Sequence, residues 1–66
     1  MKTVRQLIND DLMFNQIDII TVSNNGKPTQ YDSADSLVYC EGDNVVIDYE
    51  VEYDADEGLV YLDIVI

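Results

Sequence analysis

Positive charge is scarce in this 66-residue chain, which contains three basic residues and no histidine. Lys2, Arg5 and Lys27 all lie in the first 27 positions, whereas residues 28–66 contain eleven acids and no base. A protein that binds DNA or RNA neutralises phosphates with Lys and Arg. The scarcity of these residues therefore argues against direct contact with nucleic acid.

Residues that perform chemistry are also few. The chain has no histidine, no glycine-rich phosphate loop and no Cys/His cluster for zinc. Its single Cys40 has no histidine to activate it, and the nearby acids Glu41 and Asp43 oppose formation of the thiolate. We therefore expect a protein that is not an enzyme and that uses no cofactor and no metal ion.

One segment, residues 54–58, has a partial likeness to a calcium-binding loop. An EF-hand requires glycine at the sixth position and glutamate at the twelfth. Counted from Asp54, Gly58 is fifth and Val65 is twelfth, so the pattern fails. Weak binding of divalent ions by this turn stays open as a minor hypothesis.

The lone cysteine and the absence of long apolar runs bear on location. Cys40 cannot form an internal disulfide, and a free thiol in so short a chain is typical of a reducing compartment. Lys2 and Arg5 are followed by an amphipathic pattern instead of the apolar run of a signal peptide. No stretch approaches the ~18 apolar residues of a membrane span. We expect a cytoplasmic protein with no membrane partner.

The chain nevertheless has the composition of a folded protein. Its 14 acids give a net charge of -11, but 47% of its residues are hydrophobic, too many for a disordered acidic tail. The length predicts a single domain over residues 1–66. A domain of this size buries only about 60% of the surface that its unfolded chain exposes, so a large substrate pocket is not expected.

An N-terminal helix is predicted over residues 4–13. Thr3 and Gln6 have the spacing of a capping box, in which each side chain bonds the other residue's backbone N–H. Apolar residues then recur at helical spacing: Val4, Leu7, Ile8 and Leu12.

A first β-hairpin is predicted from strands at 17–23 and 29–31. The Asn25-Gly26 pair between them favours a two-residue turn, since both residues tolerate positive φ. Pro28 lacks an amide donor, which places the return strand at a sheet edge. The segment 32–44 fits either a helical turn or a short strand, and both remain open.

A second hairpin is predicted from strands at 45–53 and 59–66, with a left-handed Gly58 in the turn. A period of two separates an apolar face, formed by Val45, Ile47, Tyr49, Val51 and Tyr53, from an acidic face. We expect Tyr49 and Tyr53 to face the core or a partner.

These elements predict an α+β fold in which the N-terminal helix packs on a small antiparallel sheet of three to four strands, built from two hairpins. The predicted core residues are Val4, Leu7, Ile8, Ile17, Ile19, Ile47, Val51, Leu62 and Ile64.

The acidic face of the third strand is the candidate binding surface. Side chains two apart on a strand lie roughly 6.6 Å from each other, so its acids form a linear ladder. Residues of the following turn and the neighbouring strand extend it. The candidate partner-binding residues are Asp48, Glu50, Glu52, Asp54, Asp56, Glu57, Tyr61 and Asp63.

Two interpretations of this ladder stay open. It is the solvated face of an antiparallel sheet, or it imitates a phosphate backbone with regularly spaced negative charge. A solvated face explains why acidic and apolar residues alternate along the strand. It explains less well why every charged residue on this face is acidic, because acids are depleted in strands and neighbouring like charges repel.

In its short length, helix-and-hairpin layout and large negative charge, the chain resembles small acidic proteins of phages and prophages. Within that group it is similar to anti-CRISPR and anti-restriction proteins that act as DNA mimics. The resemblance implies inhibition of a host nuclease through its DNA-binding surface, in the host cytoplasm. It covers the whole chain and assigns no individual residue.

The leading hypothesis is an acidic inhibitor or decoy that binds the basic nucleic-acid-binding surface of a protein. The alternative is a structural or assembly module that homodimerises or docks on a larger protein through a sheet edge. In that alternative Val46, Val60 and Tyr61 make the contacts, and the acids serve solubility.

Overall fold

A computed structural model describes residues 2–11 and 17–66. In these ranges the chain forms helix α1 (Val4–Gln6), continued by a π-helical turn (Leu7–Asp11), strands β1 (Ile19–Asn24) and β2 (Lys27–Tyr31), helix α2 (Ala34–Glu41), and strands β3 (Asp48–Asp54) and β4 (Leu59–Val65). The four strands form one sheet in the order β2-β1-β4-β3. The predicted α+β class is confirmed. No helix in the described ranges is long and apolar enough to cross a membrane.

The sheet is mixed, whereas a wholly antiparallel sheet was predicted. Both predicted hairpins are antiparallel, but the central strands β1 and β4 pair in parallel. Turn sequences determine the pairing within each hairpin, and they carry no information on how two hairpins join. Burial decides that contact: the most apolar strands, β1 and β4, take the centre, and the polar strands β2 and β3 take the edges.

The hydrophobic core lies on one face of this sheet, beneath the helical segments. The parallel register places Ile20 beside Leu62 and Val22 beside Ile64, and all four are buried. The helical segments complete the cluster with Val4, Leu7, Ile8 and Leu37.

The predicted core is partly correct. Five of its residues are buried: Val4, Leu7, Ile8, Leu62 and Ile64. In β1 the prediction chose the wrong face, because the buried residues are Ile20 and Val22, while Ile17 and Ile19 are only half-buried. The adjacent isoleucines 19 and 20 break the alternation, so either face fits the sequence.

The core prediction also fails along the third strand. Ile47 and Val51 are 69% and 45% exposed, and Tyr49 and Tyr53 are exposed as well. Val51 lies directly opposite the buried Leu62, so β3 does present its apolar side to the face that carries the core. The buried cluster, however, contains no residue of β3.

The loop after α2 satisfies backbone donors at the start of α1. The predicted capping box is present: the Thr3 N–H donates to Gln6 Oε1 over 3.0 Å, and the Gln6 N–H donates to Thr3 Oγ1 over 3.3 Å. The next two donors, the N–H groups of Val4 and Arg5, bond to the carbonyls of Asn44 and Gly42. The predicted helix end at residues 12–13 lies outside the described residues.

The first hairpin turn follows its sequence signal. Asn25 and Gly26 have φ of 53° and 80°, as a type I′ turn requires. Pro28 lies in edge strand β2, as predicted.

The segment that the sequence left open contains helix α2. It is capped by Ser33, whose Oγ accepts the Ser36 N–H over 3.2 Å.

Gly42 directly follows α2 at a position that has no room for a side chain. It is buried, and a Cβ at this position would clash with the Val38 carbonyl oxygen and lie 2.8 Å from Arg5 Nη2. We predict that Gly42→Ala lowers the free energy of unfolding by about 1–3 kcal/mol, the usual effect of overpacking. Urea denaturation followed by circular dichroism measures it.

Cys40→Ala is the matched control, because Cys40 lies in the same helix with an exposed side chain. We expect a change within about 0.5 kcal/mol for this surface position. Equal stability of the Gly42→Ala variant and the wild type would contradict the close approach of Gly42 to the Val38 carbonyl.

Candidate protein-binding face

The acid row, defined as Asp48, Glu50, Glu52 and Asp54, lies along β3 on the sheet face opposite the helical segments. The first three side chains are exposed and the fourth is half-buried. At the spacing of alternate strand residues the row is roughly 20 Å long. The structure thus brings together the four acids of the predicted ladder.

Two residues of strand β4 lie beside the acid row on the same face of the sheet. Asp63 lies directly opposite Glu50, and Tyr61 lies opposite Glu52. Neither strand contains Lys or Arg. Like charges opposite each other on neighbouring strands are destabilising, so this face retains a local repulsion.

The turn at the end of the hairpin is organised by Asp54. Its Oδ1 accepts the N–H groups of Asp56 and Glu57 over 3.0 and 3.2 Å, and its carbonyl accepts the Gly58 N–H over 2.7 Å. This is an Asx turn, and Gly58 adopts the left-handed φ of 70° that was predicted for it. The turn therefore holds Asp56 and Glu57 at one end of the acid row.

Tyr61 joins the turn to the acid row. Its hydroxyl donates to Glu57 Oε2 over 3.4 Å. Burial, and then the negative charges of Glu57 and Asp54, raise the pKa of Tyr61 above its ordinary value. A surface depression of about 340 Å³ adjoins this tyrosine, and its lining residues are Glu52, Tyr53, Asp54, Ala55, Asp56 and Tyr61.

A metal site does not assemble in the described part of the chain, where no three Cys, Asp or Glu side chains converge as a metal ion requires. In the turn considered for weak divalent-ion binding, one oxygen of Asp54 already accepts two backbone N–H groups. An ion pair joins Arg5 Nη1 to Asp43 Oδ1 over 2.6 Å, away from the acid row.

The other side of β3 carries an apolar row that the sequence pattern predicted, with Val51 placed in the core and Tyr49 and Tyr53 facing the core or a partner; it is exposed throughout. Tyr49, Val51 and Tyr53 are 42%, 45% and 68% exposed. The assembly hypothesis had instead named Val46, Val60 and Tyr61, all of which are half-buried, and Val46 packs against the core. The sequence did contain a clue to this exposure. Every predicted strand contains large apolar residues, whereas only one short helix was predicted to cover the sheet.

Comparisons of this chain with protein-family models, with curated proteins and with solved structures found no match. The geometry of the acid row and of its strand therefore carries the functional interpretation.

The repulsion within the acid row is measurable as stability. We predict that Glu50→Gln raises the free energy of unfolding by about 0.2–1 kcal/mol at low salt, because it removes the like charge opposite Asp63. The gain should shrink as salt screens the pair. Chemical denaturation at two salt concentrations measures both effects.

Asp43→Asn is the matched control, since it removes the same charge from a carboxylate that pairs with Arg5. We expect it to stabilise the protein by no more than the loss of one negative charge from the whole molecule does. Equal gains from the two variants would contradict a specific repulsion between Glu50 and Asp63.

The pKa of Tyr61 gives a test of the turn geometry. Because its folded pKa lies above 10.0, the neutral phenol is favoured in the folded state. The contribution of this pKa shift to the free energy of unfolding is fully present below about pH 10, and it is lost as pH rises through the raised pKa. We predict that Glu57→Gln lowers the pKa of Tyr61, measured by NMR titration of the ring with Tyr61→Phe for assignment.

Glu41→Gln is the control for this titration. Glu41 contributes, after burial, to raising the pKa of Tyr31, and it is not among the groups that raise that of Tyr61. A pKa of Tyr61 that does not respond to Glu57→Gln would contradict the contact between the two side chains.

Proposed function

We propose that this protein is a non-enzymatic acidic inhibitor or decoy that binds the basic nucleic-acid-binding surface of another protein. The observation that carries the proposal is the acid row on the open sheet face, widened by Asp63 and free of any basic residue in β3 or β4. The partner, a host defence nuclease in this proposal, would lose access to its nucleic acid while the protein is bound.

The arrangement of charge supports this mechanism. Nucleic acid presents one negative charge per nucleotide along a line, and basic grooves of proteins follow that line. The acid row offers a line of carboxylates roughly 20 Å long on a strand held by seven residue pairs with β4. Such a row matches a few consecutive phosphates, so the expected contact is a short stretch of a groove.

The acids differ in how free they are to bind. Asp48 and Asp54 accept backbone N–H groups, and Glu57 accepts the Tyr61 hydroxyl. Among the described residues, Glu50 and Glu52 have no such partner, and both are exposed at the centre of β3. We therefore assign the strongest contacts to these two side chains.

The depression beside Tyr61 supports a basic partner as well. Glu52, Asp54 and Asp56 line it together with Tyr61, which lies on the same face of the sheet. A Lys or Arg side chain is attracted to both kinds of group, through charge and through cation–π interaction. In this proposal the protein needs no cofactor, touches no nucleic acid directly and acts in the cytoplasm.

Charge reversal tests the proposal. A pull-down from a bacterial lysate that contains phage-defence systems, washed at low and high salt, identifies a nucleic-acid-binding partner. We predict that Glu50→Lys with Glu52→Lys weakens its binding by more than about tenfold, because two attractive contacts become repulsive. Competition between the protein and DNA for that partner, measured at several salt concentrations, gives the affinity.

Asp10→Lys with Asp32→Lys is the matched control, since both acids are exposed, lie outside the sheet strands and change the net charge equally. It should retain most of the affinity. Binding that is equally tight in wild type and in the Glu50/Glu52 double variant would refute the mechanism.

The assembly module remains the second candidate, because the exposed apolar row lies on an edge strand. In that case the acids contribute solubility, and the protein self-associates or docks in a manner that salt does not alter. Recovery of only the protein itself, or of a salt-resistant structural partner, in the same pull-down would favour this candidate.

A further inference from the structure

We infer, resting on the proposed function, that the free edge of β3 binds an extended segment of the partner as a fifth strand. The segment alternates basic and apolar side chains. Its basic residues lie against the acid row and its apolar residues against the apolar row.

The first observation is the edge itself. Among the described residues, β3 pairs with β4 on one side and with no strand on the other. Alternate residues of such a strand direct their N–H and C=O groups away from the sheet, where another chain can bond to them. β3 contains neither Pro nor Gly, and its seven residues span about 23 Å.

The backbone just before β3 already pairs with the N-terminal segment. Thr3 forms a bridge with Val45, and the Val46 N–H donates to the Lys2 carbonyl over 2.8 Å. The available edge therefore lies within Asp48–Asp54, the segment that carries the acid row and the apolar row. Its first outward donor, the Tyr49 N–H, already bonds to Asp48 Oδ1 over 2.8 Å, so an added strand would pair mainly with residues 50–54.

The second observation is that both faces of this edge are exposed and differ in chemistry. The acid row lies on the open face, and Tyr49, Val51 and Tyr53 lie on the other. Side chains of an added strand also alternate between the two faces. A segment with Lys or Arg at every second position and apolar residues between them matches both rows at once.

A second copy of this chain is a poor occupant. Antiparallel pairing of β3 with itself places the acid row beside the acid row, and like charges in adjacent positions are destabilising. Parallel pairing about a two-fold axis places carboxylates beside the apolar row. Charge complementarity therefore selects a basic partner over self-association.

Defined peptides test this inference. The probe is an acetylated and amidated peptide of four Lys-Val repeats, used below any concentration at which it self-assembles. We expect it to bind more tightly than a peptide of four Lys-Ser repeats, which has the same charge and no apolar residue, as measured by calorimetry. We also expect it to slow amide hydrogen exchange in β3 and leave the other edge strand, β2, unchanged.

N-methylated versions of the peptide separate strand pairing from charge attraction. In a strand all valine N–H groups point to one edge and all lysine N–H groups to the other. We therefore expect one of two peptides, methylated at every valine or at every lysine, to lose binding while the other retains it. Glu50→Gln with Glu52→Gln should weaken binding, and Asp10→Asn with Asp32→Asn should not.

Equal affinity for the Lys-Ser peptide, the Lys-Val peptide and both methylated forms would overturn the fifth-strand inference. So would an absence of peptide binding, or a dimer whose β3 amides become protected as protein concentration rises. None of these results decides the proposed function, which is tested separately by charge reversal against the captured partner.

Discussion

Parallel pairing between β1 and β4 is the contact on which the rest of the structure depends. Neither hairpin is stable alone in water, because a two-stranded ribbon leaves its apolar side exposed. Joining them in this register aligns Ile20 and Val22 with Leu62 and Ile64, and the helical segments then bury all four. The same pairing makes β2 and β3 the sheet edges. The position of the acid row at a free edge is therefore a consequence of where the core forms.

The acids of β3 have opposite effects on the protein. A net charge of -11 opposes the compact state, and Glu50 opposite Asp63 adds a local repulsion. An edge strand lined with charge, however, resists pairing with copies of itself. In the fifth-strand proposal, the acid row therefore opposes self-association of an exposed apolar edge and complements a basic segment. Edge protection and partner binding can thus reside in the same residues.

Local signals in the sequence predicted most of the elements. The capping box of Thr3 and Gln6, the Asn25-Gly26 turn and the faces of β3 follow from interactions within a few residues, so short sequence windows contain them. The prediction was wrong, or stayed open, where a local pattern had two solutions. Adjacent isoleucines left the buried face of β1 ambiguous, and the segment 32–44 fitted helix or strand until packing against α1 selected the helix.

The sequence by itself determined the α+β class, both hairpins and the alternation that separates acids from apolar residues on β3. These properties depend on backbone preferences and on the period of a strand, which are local. Only the tertiary structure decided the parallel centre of the sheet, the position of β3 at an edge and the exposure of Tyr49, Val51 and Tyr53. Those properties depend on which apolar side chains the helical segments cover, and the buried cluster beneath them contains no residue of β3.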